Sequence, residues 1–346
     1  MLKRRLGKTG LEVPIIGLGG VGLGQPPEAI TPLINRAMDR GANFIHMYDT
    51  QEENVGRVLA GRRKEAILAA HVDVYADPEK RMGTADEVMG RVETCLKGLQ
   101  TDSIELFQFH AVMDAEAMDF IRTGGALEGL KKAQEQGKVQ HVGITGHYAP
   151  SLVYALKDYD FDTLMVPFNI MRRDFGEDPS NGLFPFARRM DVGVIVMKPI
   201  ASGRITQNLP AALKFILAHE VTLAIPGAGT TQQLDANIDI AEEFTALSEE
   251  ERKACAEELS FLGEPYCRQC RYCLPCPGEM DIPAILKMER TCSFFGLKEW
   301  IRKEEIGALE VHAERCDGCD SCESRCPYDL PVRQMVKSAQ QYSQQV

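Results

Sequence analysis

At 346 residues the chain has room for one large domain and a small one, and its formal net charge of −11 excludes a nucleic-acid grip. Its balance, 44% hydrophobic and 26% charged, is that of an ordinary soluble globular protein. No apolar run approaches membrane-spanning length, and Met1 to Lys8 holds no signal core, so the expectation is a cytoplasmic protein without membrane insertion.

Residues 2–13 alternate around Gly7 and Gly10, which predicts a hairpin. Apolar strand runs then follow at 15–18, 43–46, 66–70, 104–109, 139–144, 163–166, 193–197 and 222–225. Amphipathic helices are predicted at 28–40, 84–99, 127–136, 150–157, 210–219 and 235–244. Eight strand–helix units over about 240 residues predict an α/β fold, a (β/α)8 TIM barrel, better than an open doubly wound sheet. Gly17 to Gly24 is glycine-rich, but no Gly-x-Gly-x-x-Gly opens a helix after a strand. The barrel is thus expected over 1–246. A linking helix over 247–263 starts at Ser248, with Glu251 three residues on as a capping box. A small, mostly helical ferredoxin-like domain is expected over 264–340, with helices at 282–290 and 297–306. The polar stretch Ser338 to Val346 is expected to fray.

That last domain holds two cysteine runs. Cys267, Cys270, Cys273 and Cys276 precede Pro277; Cys316, Cys319, Cys322 and Cys326 precede Pro327. Three thiolates two residues apart let one loop wrap a cubane cluster, while the fourth, before proline, typically reaches the other cluster. The second run has the bacterial ferredoxin spacing; in the first, Cys276 stands one residue closer. Zinc prefers two separated ligand pairs, and disulfides fit poorly without a secretory signal, so two 4Fe-4S clusters are expected. Of the three cysteines outside the runs, Cys95 and Cys255 read as small buried apolar residues and Cys292 as a spare ligand.

The order of motifs along residues 1 to about 245 resembles the aldo-keto reductases. The matches are Arg5 to Val13, Gly41 to Ile45, Glu52 to Gly56, Val92 to His110, Gly137 to Ile144, Met197 to Gly203, and Ile225-Pro-Gly with Asn237. With its cysteine-rich tail and its Thr145-Gly-His147 turn, the chain is similar to the ferredoxin-fused branch of that family. The resemblance implies catalysis where the strands end, by an Asp–Tyr–Lys–His set. Tyr48 falls at the acid and His110 at the His, but His46 stands at the Asp and His71 at the Lys. It also implies a nicotinamide site, NAD(P), at which the carboxamide-binding Gln becomes Met165. The 2′-phosphate grip becomes Gly227, Ala228 and Gln233. Lys198, Ile200, Ser202 and Gly203 remain as a cradle for pyrophosphate.

His46, His71, His110 and His147 thus follow the ends of four consecutive strands, which lie about 4.8 Å apart. Imidazoles near their ordinary pKa suit proton transfer; three that converge suit a mononuclear metal. The leading expectation is an oxidoreductase acting on a small carbonyl-type molecule with electrons from the clusters, served by a redox partner protein. The alternatives are an NAD(P)H-dependent carbonyl reductase with an altered tetrad, and an electron-transfer or docking protein with an inactive barrel.

Overall fold

A computed structural model describes residues 1–74, 82–112, 115–173, 175–176, 182–261, 267–268, 270–286 and 315–343. The chain divides into two units, Met1–Leu262 and Gly263–Val346.

The first unit opens with an antiparallel hairpin, β1 (Lys3–Arg5) and β2 (Glu12–Pro14). Its turn plugs the barrel floor. Gly7 has φ 52°, and a Cβ there would sit 2.3 Å from the Gly193 nitrogen, so only glycine fits. Seven parallel strands follow, hydrogen-bonded in chain order: β3 (Phe44–His46), β4 (Ile67–Asp73), β5 (Ile104–His110), β6 (Val139–Thr145), β7 (Thr163–Pro167), β8 (Gly193–Met197) and β9 (Leu223–Ala224). Residues 16–19 take the eighth place and close the ring. Ile16 bridges Ala224 and Gly19 bridges Gly227 on one side, and Leu18 bridges Ile45 on the other. The architecture is the (β/α)8 barrel.

Register separates the strand faces. Leu68, Phe107, Val142 and Val194 point outward and pack under the helices. Inside, Phe44, Ala69, Leu106, Met165, Ile195 and Leu223 join Leu6 and Val13 in an apolar floor. One step up, His71 pairs with Gln108 and Asp73 with His110, so the barrel turns polar toward its C-terminal mouth. The helices are α1 (Pro27–Asp39), α2 (Glu52–Leu59), α3 (Ala85–Leu99), α4 (Ala115–Thr123), α5 (Ala126–Glu135), α6 (Ala149–Asp158), α7 (Leu183–Arg189), α8 (Leu209–Leu217) and α9 (Thr231–Glu242). Periodicity missed α2, α4 and α7, which are short; α7 also carries a proline.

The helix expected as a linker, α10 (Glu249–Phe261), is part of the barrel unit. Ser248 and Glu251 cap its start reciprocally, at 2.9 and 3.2 Å. Further along, Glu258 is fully buried. Its carboxylate accepts from the backbone N–H groups of Thr206 and Asn208, both at 2.8 Å, and from that of Gln207. It therefore occupies the start of α8, where unpaired N–H groups and the helix dipole favour a negative charge. Lys214 donates to Glu251 at 2.7 Å and adds a second tie.

The second unit has its own core, Met280, Ile282, Ile285, Leu286, Leu330, Val332, Met335, Val336 and Ala339. The terminal helix runs over Val332–Ser343, so residues 338–343 are helical and not frayed as expected. Met335, Val336 and Ala339 recur on one face and bury it, and this outweighs the polar composition. Of the predicted tail helices, 282–286 is seen. Residues 287–290, the helix at 297–306 and Cys292 lie outside the described residues.

Candidate active site and cysteine cavities

The strand ends bring His46, His71, His110 and Tyr48 together. The His46 and His71 rings stack with centroids 5.8 Å apart, and His71 lies 4.7 Å from His110. Tyr48 meets His46 and His71 edge-on, at 5.4 and 5.7 Å. Gln51 fixes the loop that carries this tyrosine: its Oε1 accepts from the Tyr48 N–H at 3.0 Å, and its Nε2 donates to the Gly20 carbonyl at 2.8 Å. A Cβ on Gly20 would fall 3.0 Å from the Tyr48 ring, so glycine lets the phenol lie down on the loop.

Burial sets the charge here. His46 and His71 are only 6% and 4% exposed. Desolvation, helped by the neighbouring imidazoles, drives His46 down to about 4 and His71 to about 2. The near-neutral titration expected from their residue type is thus not found: both rings are neutral at pH 7. Tyr48 is 38% exposed, and desolvation raises its pKa, so the phenol keeps its proton. His71 Nδ1, His110 Nδ1 and Gln108 Oε1 are buried without a hydrogen-bond partner, which marks the inner wall as able to bind polar atoms. Among the described residues, no three His, Cys, Asp or Glu side chains surround a single ion.

His147 lies further round the mouth. Its Nε2 is 3.4 Å from Lys198 Nζ, and its carbonyl accepts from Arg172. Burial, then Lys198 and Arg172, hold it well below the ordinary imidazole value. Thr145 Oγ1 accepts from the Ala111 N–H at 3.0 Å, which ties β5 to β6. The loop after β8 is wound left-handed, with φ of 52° at Lys198, 50° at Ala201, 58° at Ser202 and 85° at Gly203, while Ile200 packs against the core. Asn169 Nδ2 steadies it by donating to the Lys198 carbonyl at 3.0 Å.

Two positions that the resemblance assigns to a nicotinamide site make other contacts. Met165 is buried in the apolar floor below the histidines. Gln233 turns back on its own helix, its Oε1 accepting from Gly229 at 2.8 Å while its N–H donates to Thr230 Oγ1 at 3.2 Å. Gly227 pairs with Gly19 across the barrel closure, and Asn237 is buried on α9. Sequence reasoning passed over Asp73, whose Oδ2 is 3.7 Å from His110 Nδ1. Period-two alternation from Ile67 through Ala69 and His71 would have pointed it inward. Gln51 and Gln108 carry no comparable signal.

In the second unit the eight motif cysteines line two small hollows. One is lined by Cys316, Cys319 and Cys322 with Cys276 from the first run. The other is lined by Cys267, Cys270 and Cys273 with Cys326 from the second. Cys273 borders both. None of these thiols forms a disulfide. Four thiols spread around a hollow, with no three close enough for a single ion among the described residues, fit a cluster better than a zinc held at about 2.3 Å. Outside the runs, Cys95 and Cys255 are buried on α3 and α10; burial pushes the Cys95 thiol up to about 12, leaving it inert.

Comparison with known proteins agrees with this division. Residues 15–210 match the aldo/keto reductase family, and residues 266–331 match the 4Fe-4S dicluster domain. Over 222 residues the chain is 25% identical to an uncharacterised oxidoreductase of Bacillus subtilis, spanning 60% of this chain and 68% of that one. The holo form of an aldo-keto reductase from Bacillus halodurans is similar in fold, with a TM-score of 0.64 at 24% identity over 75% of this chain and 96% of the other. So is a Klebsiella pneumoniae aldo-keto reductase in complex with NADPH, with a TM-score of 0.61 at 21% identity over 74% and 95%. The chain belongs to the aldo/keto reductase family. It is an oxidoreductase whose barrel is followed by an iron–sulfur domain.

Proposed function

We propose that the barrel mouth reduces or oxidises a small carbonyl-type molecule, and that two 4Fe-4S clusters serve it as the electron source or sink. The observation that carries this is the pair of four-cysteine cavities with their crossed fourth ligands. The clusters, when bound, supply or accept single electrons. Interconverting a carbonyl and an alcohol takes two electrons and two protons.

The chain's own residues handle the protons. Tyr48 keeps its proton through burial and gives it up only to a strongly basic oxygen, such as one gaining negative charge. His46 and His71, neutral and stacked beside it, orient that oxygen and add no competing charge. His110 and Asp73, each with 31% of the side chain exposed, connect the mouth to water and replace the second proton. Among the described residues, neutral His71 stands where the family has its lysine, so the phenol acts there without a cation at that position.

The second reading, an NAD(P)H-dependent carbonyl reductase, is favoured by the NADPH complex of the Klebsiella pneumoniae neighbour. Against it stand the buried Met165 and the engaged Gln233. Anaerobic titration separates the two. Dithionite is expected to bleach the cluster absorption, and NADPH to leave both that absorption and the intrinsic fluorescence unchanged. Micromolar binding of NADPH would establish the second reading instead.

A further inference from the structure

One of the two cysteine cavities has an arginine in its wall that also reaches the other cysteine loop. Arg325 precedes the crossing Cys326 and lines the cavity of Cys316, Cys319 and Cys322. Its Nε donates to the Ser321 carbonyl at 2.7 Å, within its own loop. Its Nη2 reaches across to the first loop, donating to the carbonyls of Cys273 at 3.0 Å and Pro275 at 2.8 Å. Cys273 is the cysteine that borders both cavities. All three acceptors are neutral carbonyls.

The other arginine of this cavity differs. Arg333 is paired with Glu323 at 2.9 Å and with Asp320, so its charge is cancelled by two carboxylates. On the second cavity, Arg271 faces Asp281 at 3.7 Å. Among the described residues, Arg325 has no carboxylate at ion-pair distance. It is held in place by its hydrogen bonds and keeps its full positive charge.

We propose that Arg325 tunes the reduction potential of the cluster held by Cys276, Cys316, Cys319 and Cys322. This rests on reading the two cavities as cluster sites. Adding one electron to a cluster adds one negative charge, which a fixed, partly buried cation stabilises; the reduced form is favoured and the potential rises. Exposed carboxylates at the rim, such as Asp317, are screened by water and offset little of this. The sign is therefore definite: removing the cation lowers the potential. Since the guanidinium is tied to the first loop as well, it also fixes the spacing of the two cysteine runs.

The test is an anaerobic titration of the full-length chain with dithionite, following the signals of the reduced clusters by electron paramagnetic resonance. Cys319→Ser marks the signal of the cluster in question, the one it removes or alters. Arg325→Gln is expected to lower the ratio of reduced to oxidised form of that cluster about tenfold at fixed poise, ~59 mV for one electron. The other signal should move less. Arg325→Lys keeps the charge and is expected to stay near the unmodified protein. Equal shifts in the glutamine and lysine variants would overturn the proposal, reducing Arg325 to a hydrogen-bond clamp. So would no shift in either variant, or an equal shift of both clusters. Unmodified protein lacking iron and these signals would instead defeat the cluster reading on which the proposal rests.

Discussion

A histidine in the place of a lysine keeps a nitrogen but not an obligatory charge, and its surroundings decide which form it holds. At His71 the surroundings are an almost closed barrel interior with His46 and His110 against it, and burial first, then both rings, disfavour the proton. The unfolded chain takes up the proton near pH 6.5, whereas the folded His46 and His71 refuse it until about 4 and about 2. The stability these neutral rings confer is present above pH 6.5 and is lost as pH falls through that value, toward about 4 for His46 and about 2 for His71. His71→Asn should therefore lose on the order of 1 kcal/mol less than the unmodified chain between about pH 7 and pH 5.5. Circular dichroism melts at the two pH values would check this, and equal losses in both proteins would place the ring in a wetter site. Asp73 belongs to the same scale. It lies on the inner face because Ile67 does, six residues earlier on one strand, and strict alternation does the rest.

Among the elements, the strands were the most legible in the sequence. All seven hydrogen-bonded strands fall on predicted apolar runs, because a parallel strand buried on both faces reads as one continuous run. Residues 15–18 were legible as a strand but form only bridges; a Cβ on Gly17 would stand 2.7 Å from the Phe44 carbonyl oxygen, so this close approach needs glycine. The attachment of α10 was not legible. Its cap could be read from Ser248 and Glu251, but nothing in a local window tells a solvated glutamate from Glu258, buried against a helix start some fifty positions away. This has a consequence for any truncation. A barrel ended at residue 246 leaves three backbone N–H groups at the head of α8 without their carboxylate, and each lost partner costs about 1 kcal/mol or more. A fragment covering 1–262 should melt several degrees above one covering 1–246. Equal melting temperatures would mean that water replaces Glu258 at no cost.

At the scale of the whole molecule, the chain joins two kinds of chemistry that need different surroundings. The barrel offers a mouth with a protonated phenol over buried, neutral imidazoles, suited to moving protons. The tail offers soft thiol ligands on two loops that exchange their fourth cysteine, suited to moving electrons. Cysteine spacing announced the tail plainly, because loop-wrapped clusters constrain sequence over a few residues. The mouth was less legible, because its side chains come from four strands and their charge states depend on burial. The central claim, an electron-transferring tail fused to an acid-bearing barrel, is tested most directly by metal and sulfide analysis of the full chain purified without oxygen. Two cubane clusters require about eight irons and about eight acid-labile sulfides per chain. Stoichiometric zinc with neither iron nor sulfide would contradict it.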